Sequence, residues 1–201
     1  MKSDCLSKEI SLIEDVKLRE FIIAFFEECV PKYFYTVPAS SSGKHHPTYA
    51  LGPGGLVRHT KAAVMIAEDL LSLEQNETLS ECYHDEIIAA LIVHDTFKQG
   101  LLASGGHTKF EHPIYSAGAL QLFADKFYPN LSDRVGHISA MVMAHMGQWN
   151  RSEKSVVSLP KPTTDAEKFV HMCDYIASRK YLTVNVNYEP QTEEQSTTEQ
   201  A

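Results

Sequence analysis

No stretch of this chain approaches the ~20 consecutive apolar residues that a membrane helix needs, although 43% of its 201 residues are hydrophobic. No bilayer partner is therefore expected, and the apolar content is free to build a core. Cysteine is sparse. Cys5, Cys29, Cys82 and Cys173 are scattered, with no C-x-x-C pair, which suggests reduced thiols in a cytosolic setting rather than a disulfide framework. Nothing at the start resembles a secretory leader, because Lys2, Asp4, Lys8 and Glu9 fall within the first ten residues; a cytoplasmic protein is expected. Excess positive charge is also missing: the formal net charge is −8. A broad basic face for duplex DNA or RNA is thereby excluded. A bound metal ion could still hold a phosphate, since such an ion dominates the field of its own site.

Helical periodicity fills most of the remainder. Residues 7–30 keep Ile10, Ile13, Leu18, Phe21, Ile22, Phe25 and Phe26 at helical spacing before Pro31. Further helices are expected at about 56–73, 80–95, 112–127, 132–146 and 163–180, the last opening on Thr164-Asp165-Ala166-Glu167, a capping pattern. Residues 31–55 form a long segment rich in Pro, Ser and Gly, a length that favours function or disorder. Its Gly52-Pro53-Gly54-Gly55 lacks the G-K-[ST] ending of a phosphate loop. Thr183 to Val186 would suit one short strand, and the Gln/Thr/Glu-rich sequence beyond Pro190 lacks apolar residues. The expectation is a single all-α domain over 1–182, a bundle of about six or more helices, with a flexible tail over 183–201.

One stretch is chemically awkward. The apolar run Leu91-Ile92-Val93 ends in His94-Asp95, with Lys98 three residues on. An imidazole and a carboxylate are costly to bury unless paired, and a divalent ion would repay that cost. The alternative is a helix that simply ends in solvent. The other helices argue for the ion: His59 stands near the start of one, His112 at the start of another, His145 at the end of a third, and Asp174 lies within the apolar face of the last.

The order His59, His94-Asp95, Asp174 resembles the HD-domain superfamily of metal-dependent phosphohydrolases, and His112 and His145 are similar to the two extra histidines of its binuclear members. The motifs His45-His46-Pro47, Gly54-Gly55-Leu56-Val57-Arg58-His59-Thr60, Ala144-His145-Met146-Gly147 and Asp174-Tyr175-Ile176-Ala177 resemble most the HD domain of bacterial 3′→5′ exoribonucleases. This resemblance spans roughly residues 30–181. It departs in two places: relatives carry glycine where Phe97 stands, and many exoribonucleases carry a second histidine where Met146 stands. Their oligonucleotide-binding domain has no room in this chain.

The resemblance implies an HD-type bundle around a metal centre. His59, His94, Asp95 and Asp174 would hold one divalent ion and Asp95, His112 and His145 a second, with Asp95 bridging. Mixed nitrogen and oxygen ligands suit Fe, Mn, Co, Ni or Zn, and Mg less directly. Such a pair lowers the pKa of water and clamps a phosphoryl group, which gives Asp95 and Lys98 catalytic roles, Lys98 as a point charge on a phosphoryl oxygen. Lys44, His46 and Arg58 are candidates for holding the rest of the substrate, and Trp149 could stack on a base or simply pack. His107 could border the pocket; His137, His84 and His171 read as helix, cap or surface groups. The implied activity is hydrolysis of a phosphoester in a nucleotide, cyclic nucleotide or short single strand. A 3′→5′ exonuclease is the nearest alternative, and a metal-stabilised regulatory module without turnover is an alternative of another class. A homo-oligomer is left open.

Overall fold

The computed structural model describes residues 1–41, 43, 46–102 and 106–190. Seven α-helices account for its regular structure: α1 (Ser7–Ser11), α2 (Val16–Glu28), α3 (Gly55–Leu71), α4 (Glu77–Val93), α5 (His112–Phe127), α6 (Ser132–Ala144) and α7 (Asp165–Ala177), joined by short 3₁₀ turns. No strand occurs among the described residues, so the strand expected over 183–186 is absent. No helix among them is long and apolar enough to cross a membrane.

The helix expected over 7–30 is instead two. The break at residues 12–15 has an electrostatic cause. Asp15 accepts from the backbone N–H groups of Lys17 and Leu18 at 2.8 and 3.0 Å and so caps α2. The preceding N–H groups of Glu14 and Asp15 are satisfied by the Asp85 carboxylate on α4, at 2.8 and 2.9 Å. The apolar pattern cannot report this interruption, because Ile10, Ile13, Leu18 and Phe21 are all buried on either side of it.

Helix α4 is the central element. Every residue from Ile87 to Val93 is buried, and the helix packs against α3, α6 and α7. A helical segment buried on all sides has no solvent face on which to place the polar residues that follow it. His94 and Asp95 are accordingly carried into the interior, at 0% and 1% exposure. Helix α7 begins as its sequence predicts: Thr164 Oγ1 accepts from Glu167 N at 3.2 Å and the Glu167 carboxylate accepts from Thr164 N at 3.1 Å.

Phe97 has a plain structural role. It is 5% exposed and belongs to the core. No non-glycine residue among those described has a positive φ, so nothing in this turn requires glycine. Residues 183–190 lie against the body: Val184 and Tyr188 pack on the core, and the Tyr188 carbonyl accepts from Arg58 Nη1 at 2.6 Å.

Candidate metal centre

Five helices deliver ligand-type groups to one buried point. His59 comes from the second turn of α3, whose entry brings two segments of backbone together: a Cβ on Gly55 would lie 2.3 Å from the Ala50 carbonyl oxygen. His94 is the C-cap of α4 and Asp95 follows it. His112 is the first residue of α5, drawn in by the Lys109 N–H donating to the Lys98 carbonyl at 2.8 Å. His145 caps the end of α6. Asp174 lies in α7.

Two groups could each hold a metal ion, His59–His94–Asp95 and Asp95–His112–His145. Asp95 belongs to both through different oxygens. Its Oδ2 lies 3.3 Å from His94 Nε2 and 3.8 Å from His59 Nε2, while its Oδ1 lies 3.0 Å from His112 Nε2 and 3.8 Å from His145 Nε2. Asp174 Oδ1 joins the first group, 2.9 Å from His59 Nε2 and 3.6 Å from His94 Nε2.

Three of the imidazoles are oriented by one device. His94, His112 and His145 each direct Nδ1 at the carbonyl three residues earlier, of Leu91, Lys109 and Val142, at 2.7, 2.7 and 2.6 Å. A carbonyl only accepts, so each Nδ1 bears a proton and Nε2 is the ring nitrogen turned to the centre, the arrangement that orients metal-bound histidines. His112 Nε2 and His145 Nε2 then face each other at 3.1 Å. Two lone pairs at that distance repel unless a cation or a proton lies between them. Asp95 Oδ1 likewise has no hydrogen-bond partner among the described residues despite its burial. Mixed imidazole and carboxylate donors with these unmet lone pairs fit a divalent transition-metal ion.

The charges point the same way. Burial opposes ionisation of Asp95, but Lys98 and the neighbouring histidines hold its carboxyl well below the usual range; Lys98 Nζ contacts its Oδ2 directly. Asp174 is also held well below that range against its burial, by hydrogen bonds with His59 and His94. Burial alone would lower His94, yet the two carboxylates raise it to about 10. His145 is pushed down to about 3 by burial and by its histidine neighbours, which leaves its lone pair available at neutral pH. A pair of anions that draws a proton onto a buried histidine is a site in want of positive charge.

The centre opens into a cavity of about 570 Å³, whose wall includes His46, Lys98, Thr108, Trp149, Tyr175 and Arg179. A larger cavity of about 940 Å³ lies between Arg58, Pro53 and residues 186–190 but contains none of the ligand cluster. The chemistry, not the volume, selects the first. Arg58 borders the second cavity, and its guanidinium is spent on the carbonyls of Tyr49, Leu51 and Tyr188 at 2.6, 2.8 and 2.6 Å. Arg58, expected to contact substrate, is turned here to the backbone and ties the loop before α3 to the C-terminal segment. His46 does border the centre, with its ring 5.7 Å from that of His59 and burial lowering its pKa to about 3. Lys44 and His45 lie outside the described residues. His107 and His137 are exposed and do not line this cavity, and His84 pairs with Glu68 at 2.8 Å on the far side of α4 from its end.

His171 is the residue that sequence reasoning passed over. Its Nδ1 donates to the His145 carbonyl at 2.6 Å, and it lines the cavity. The signal was available: His171 and Asp174 are three residues apart and share a face of α7. Comparison with models of known families, with curated proteins and with solved structures gives no match to this chain.

Proposed function

We propose that the protein is a phosphoester hydrolase of the HD type that works with two divalent ions. The observation that carries this reading is the division of Asp95, one oxygen toward each group of histidines. A single ion needs no such division; a bridged pair does. The order of the ligands along the chain, His59, His94-Asp95, His112, His145, Asp174, supports the same family.

Divalent ions held there would supply Lewis acidity, activating water and offsetting charge on phosphoryl oxygens. The chain's own groups have separate tasks. Lys98 borders both Asp95 and the cavity, so its ammonium can steady the carboxylate or turn to a nonbridging oxygen of the substrate. His46, kept neutral by its burial, offers a hydrogen bond without adding charge. The buried walls around His59, His94 and His145 exclude bulk water, which strengthens every electrostatic contact in the centre. The substrate enters from the cavity side, past Lys98 and Asp174.

Metal content of the purified protein, followed by hydrolysis of a chromogenic phosphodiester and of a nucleotide panel with Mn²⁺ or Fe²⁺ added, tests the proposal. Cleavage dependent on metal supports it, and a single-stranded oligonucleotide alongside cyclic and linear mononucleotides separates an exonuclease from an enzyme of small substrates. A protein that binds metal and cleaves no phosphoester in that panel is a regulatory module, and the enzymatic reading is then lost.

A further inference from the structure

Beside the metal centre stands an aromatic surface that coordination chemistry does not require. Trp149 is the only tryptophan of the chain and remains 45% exposed on the wall of the 570 Å³ cavity. Its indole stacks on the Tyr175 ring, centroids 5.5 Å apart and planes 16° from parallel, and meets the edge of His171 at 6.1 Å. The guanidinium of Arg179 lies 3.9 Å from the Tyr175 ring centroid, fixed by hydrogen bonds to the Tyr175 carbonyl at 3.1 Å and to Ser178 Oγ at 2.7 Å.

This surface is built, not incidental. Trp149 N–H donates to the Met146 carbonyl at 3.0 Å, and the next residue, Asn150, is buried and exchanges hydrogen bonds with Leu159 at 2.9 Å. Gly147 has φ +55, and a Cβ there would lie 2.2 Å from the His171 ring, so the turn bearing Trp149 closes directly onto α7. A tryptophan held rigid yet left half in water forgoes part of the burial that would justify it as core.

We propose that Trp149, backed by Tyr175 and Arg179, is a nucleobase subsite, so that the ester cleaved next to it belongs to a nucleoside phosphate. The statement deepens the phosphohydrolase reading and rests on it for turnover, though binding stands independently. Adjacency supports it: Asp174 belongs to the ligand cluster and Tyr175, the next residue, to the aromatic surface, while the turn Met146–Trp149 that bears the indole begins one residue after His145. A flat aromatic face accepts any base by stacking. Lys98 and Arg179 put positive charge on the same wall, which suits the anion that a nucleotide brings. A cavity of about 570 Å³ falls in the ~300–1,000 Å³ range of small-molecule sites, enough for a mononucleotide or the last residues of a strand.

Because Trp149 is the sole tryptophan, its emission reports on this surface alone. The full chain as purified is titrated with AMP, with ribose 5-phosphate, with inorganic phosphate and with a short single-stranded oligonucleotide. Saturable quenching by AMP, with none by ribose 5-phosphate or phosphate, is the expected result; tighter quenching by the oligonucleotide would assign the base to a strand end. By calorimetry W149L should weaken AMP binding roughly 5- to 150-fold, the equivalent of ~1–3 kcal/mol for one stacked base, whereas W149F should retain most of the affinity. R179Q, which leaves Trp149 in place, provides a second variant in which AMP quenching weakens. Equal responses to AMP and ribose 5-phosphate, or native AMP affinity in a folded W149L, overturn the subsite. Quenching without hydrolysis of any phosphoester would keep the subsite and discard the enzyme; hydrolysis without quenching would do the reverse.

Discussion

The Nδ1–H of His171 donates to the main-chain carbonyl of His145 across 2.6 Å, so a side chain of α7 holds the backbone of a candidate metal ligand on α6. His171→Ala should weaken metal binding at the Asp95–His112–His145 group by roughly 10- to 100-fold, the usual cost of losing a supporting partner. His171→Asn, whose amide can still donate from nearly the same place, should recover much of it. Competitive metal titration reads both. If H171A binds metal as tightly as the native protein, His171 only packs.

Under the two-ion proposal, Asp95 should control both sites. Asp95→Asn keeps the shape but loses the charge that both groups share, and metal analysis should then find neither ion firmly bound. His145→Ala should keep the ion of the first group. One ion retained in D95N, or none in H145A, would contradict the bridging arrangement.

Metal should also stabilise the fold. Ligands confined to the native state add about 2.7 kcal/mol at one hundred times the dissociation constant, and six ligand-type residues on five helices meet only there. Dialysis against a chelator should therefore lower the thermal midpoint by several degrees, with recovery on adding Mn²⁺ or Zn²⁺. An unchanged midpoint would show that the apolar core alone holds the five helix ends together.

Acid should act through Asp85, remote from the centre. Burial opposes its ionisation, but the N–H groups of Asp15 and Glu14, with His84 and Arg134, bring its pKa below the ordinary value. A depressed carboxyl contributes stability above its unfolded pKa of about 3.9 and loses it as pH falls toward the folded value. Asp85→Asn should cost about 1–3 kcal/mol at pH 7, and the gap from the native protein should narrow below about pH 4. Urea unfolding across pH 3–7 measures this; a gap constant with pH would mean that the charge on Asp85 contributes nothing.

Much of the fold was legible because six apolar periodicities are long and the breaks between them are proline and glycine. What escaped was set by single polar contacts between distant segments. The split between α1 and α2 has a local half, the Asp15 cap, and a distant half, the Asp85 carboxylate some 70 residues away, which the apolar pattern does not encode. The cluster of His59, His94, Asp95, His112, His145 and Asp174 could be read as polar residues out of place on apolar helices. Arg58 could not be read so: beside His59 it looks like a substrate contact, and only the folded chain reveals three carbonyls enclosing it. His171 was passed over although its place three residues before Asp174, on the same face of α7, marked it; only the folded chain shows that its ring reaches the His145 carbonyl.

Each of the hydrogen bonds that turn His94, His112 and His145 spans only three residues. The aim of these rings is thus set by near neighbours in the chain rather than by side chains of another helix. Packing then has one remaining duty, to bring finished parts to the same place. A substitution that shifts a whole helix would move a ligand without unsettling its tautomer, whereas one that disturbs a single helix end would spoil a ligand while leaving the bundle intact. Damage to distance and damage to orientation are in this way separable in one small protein.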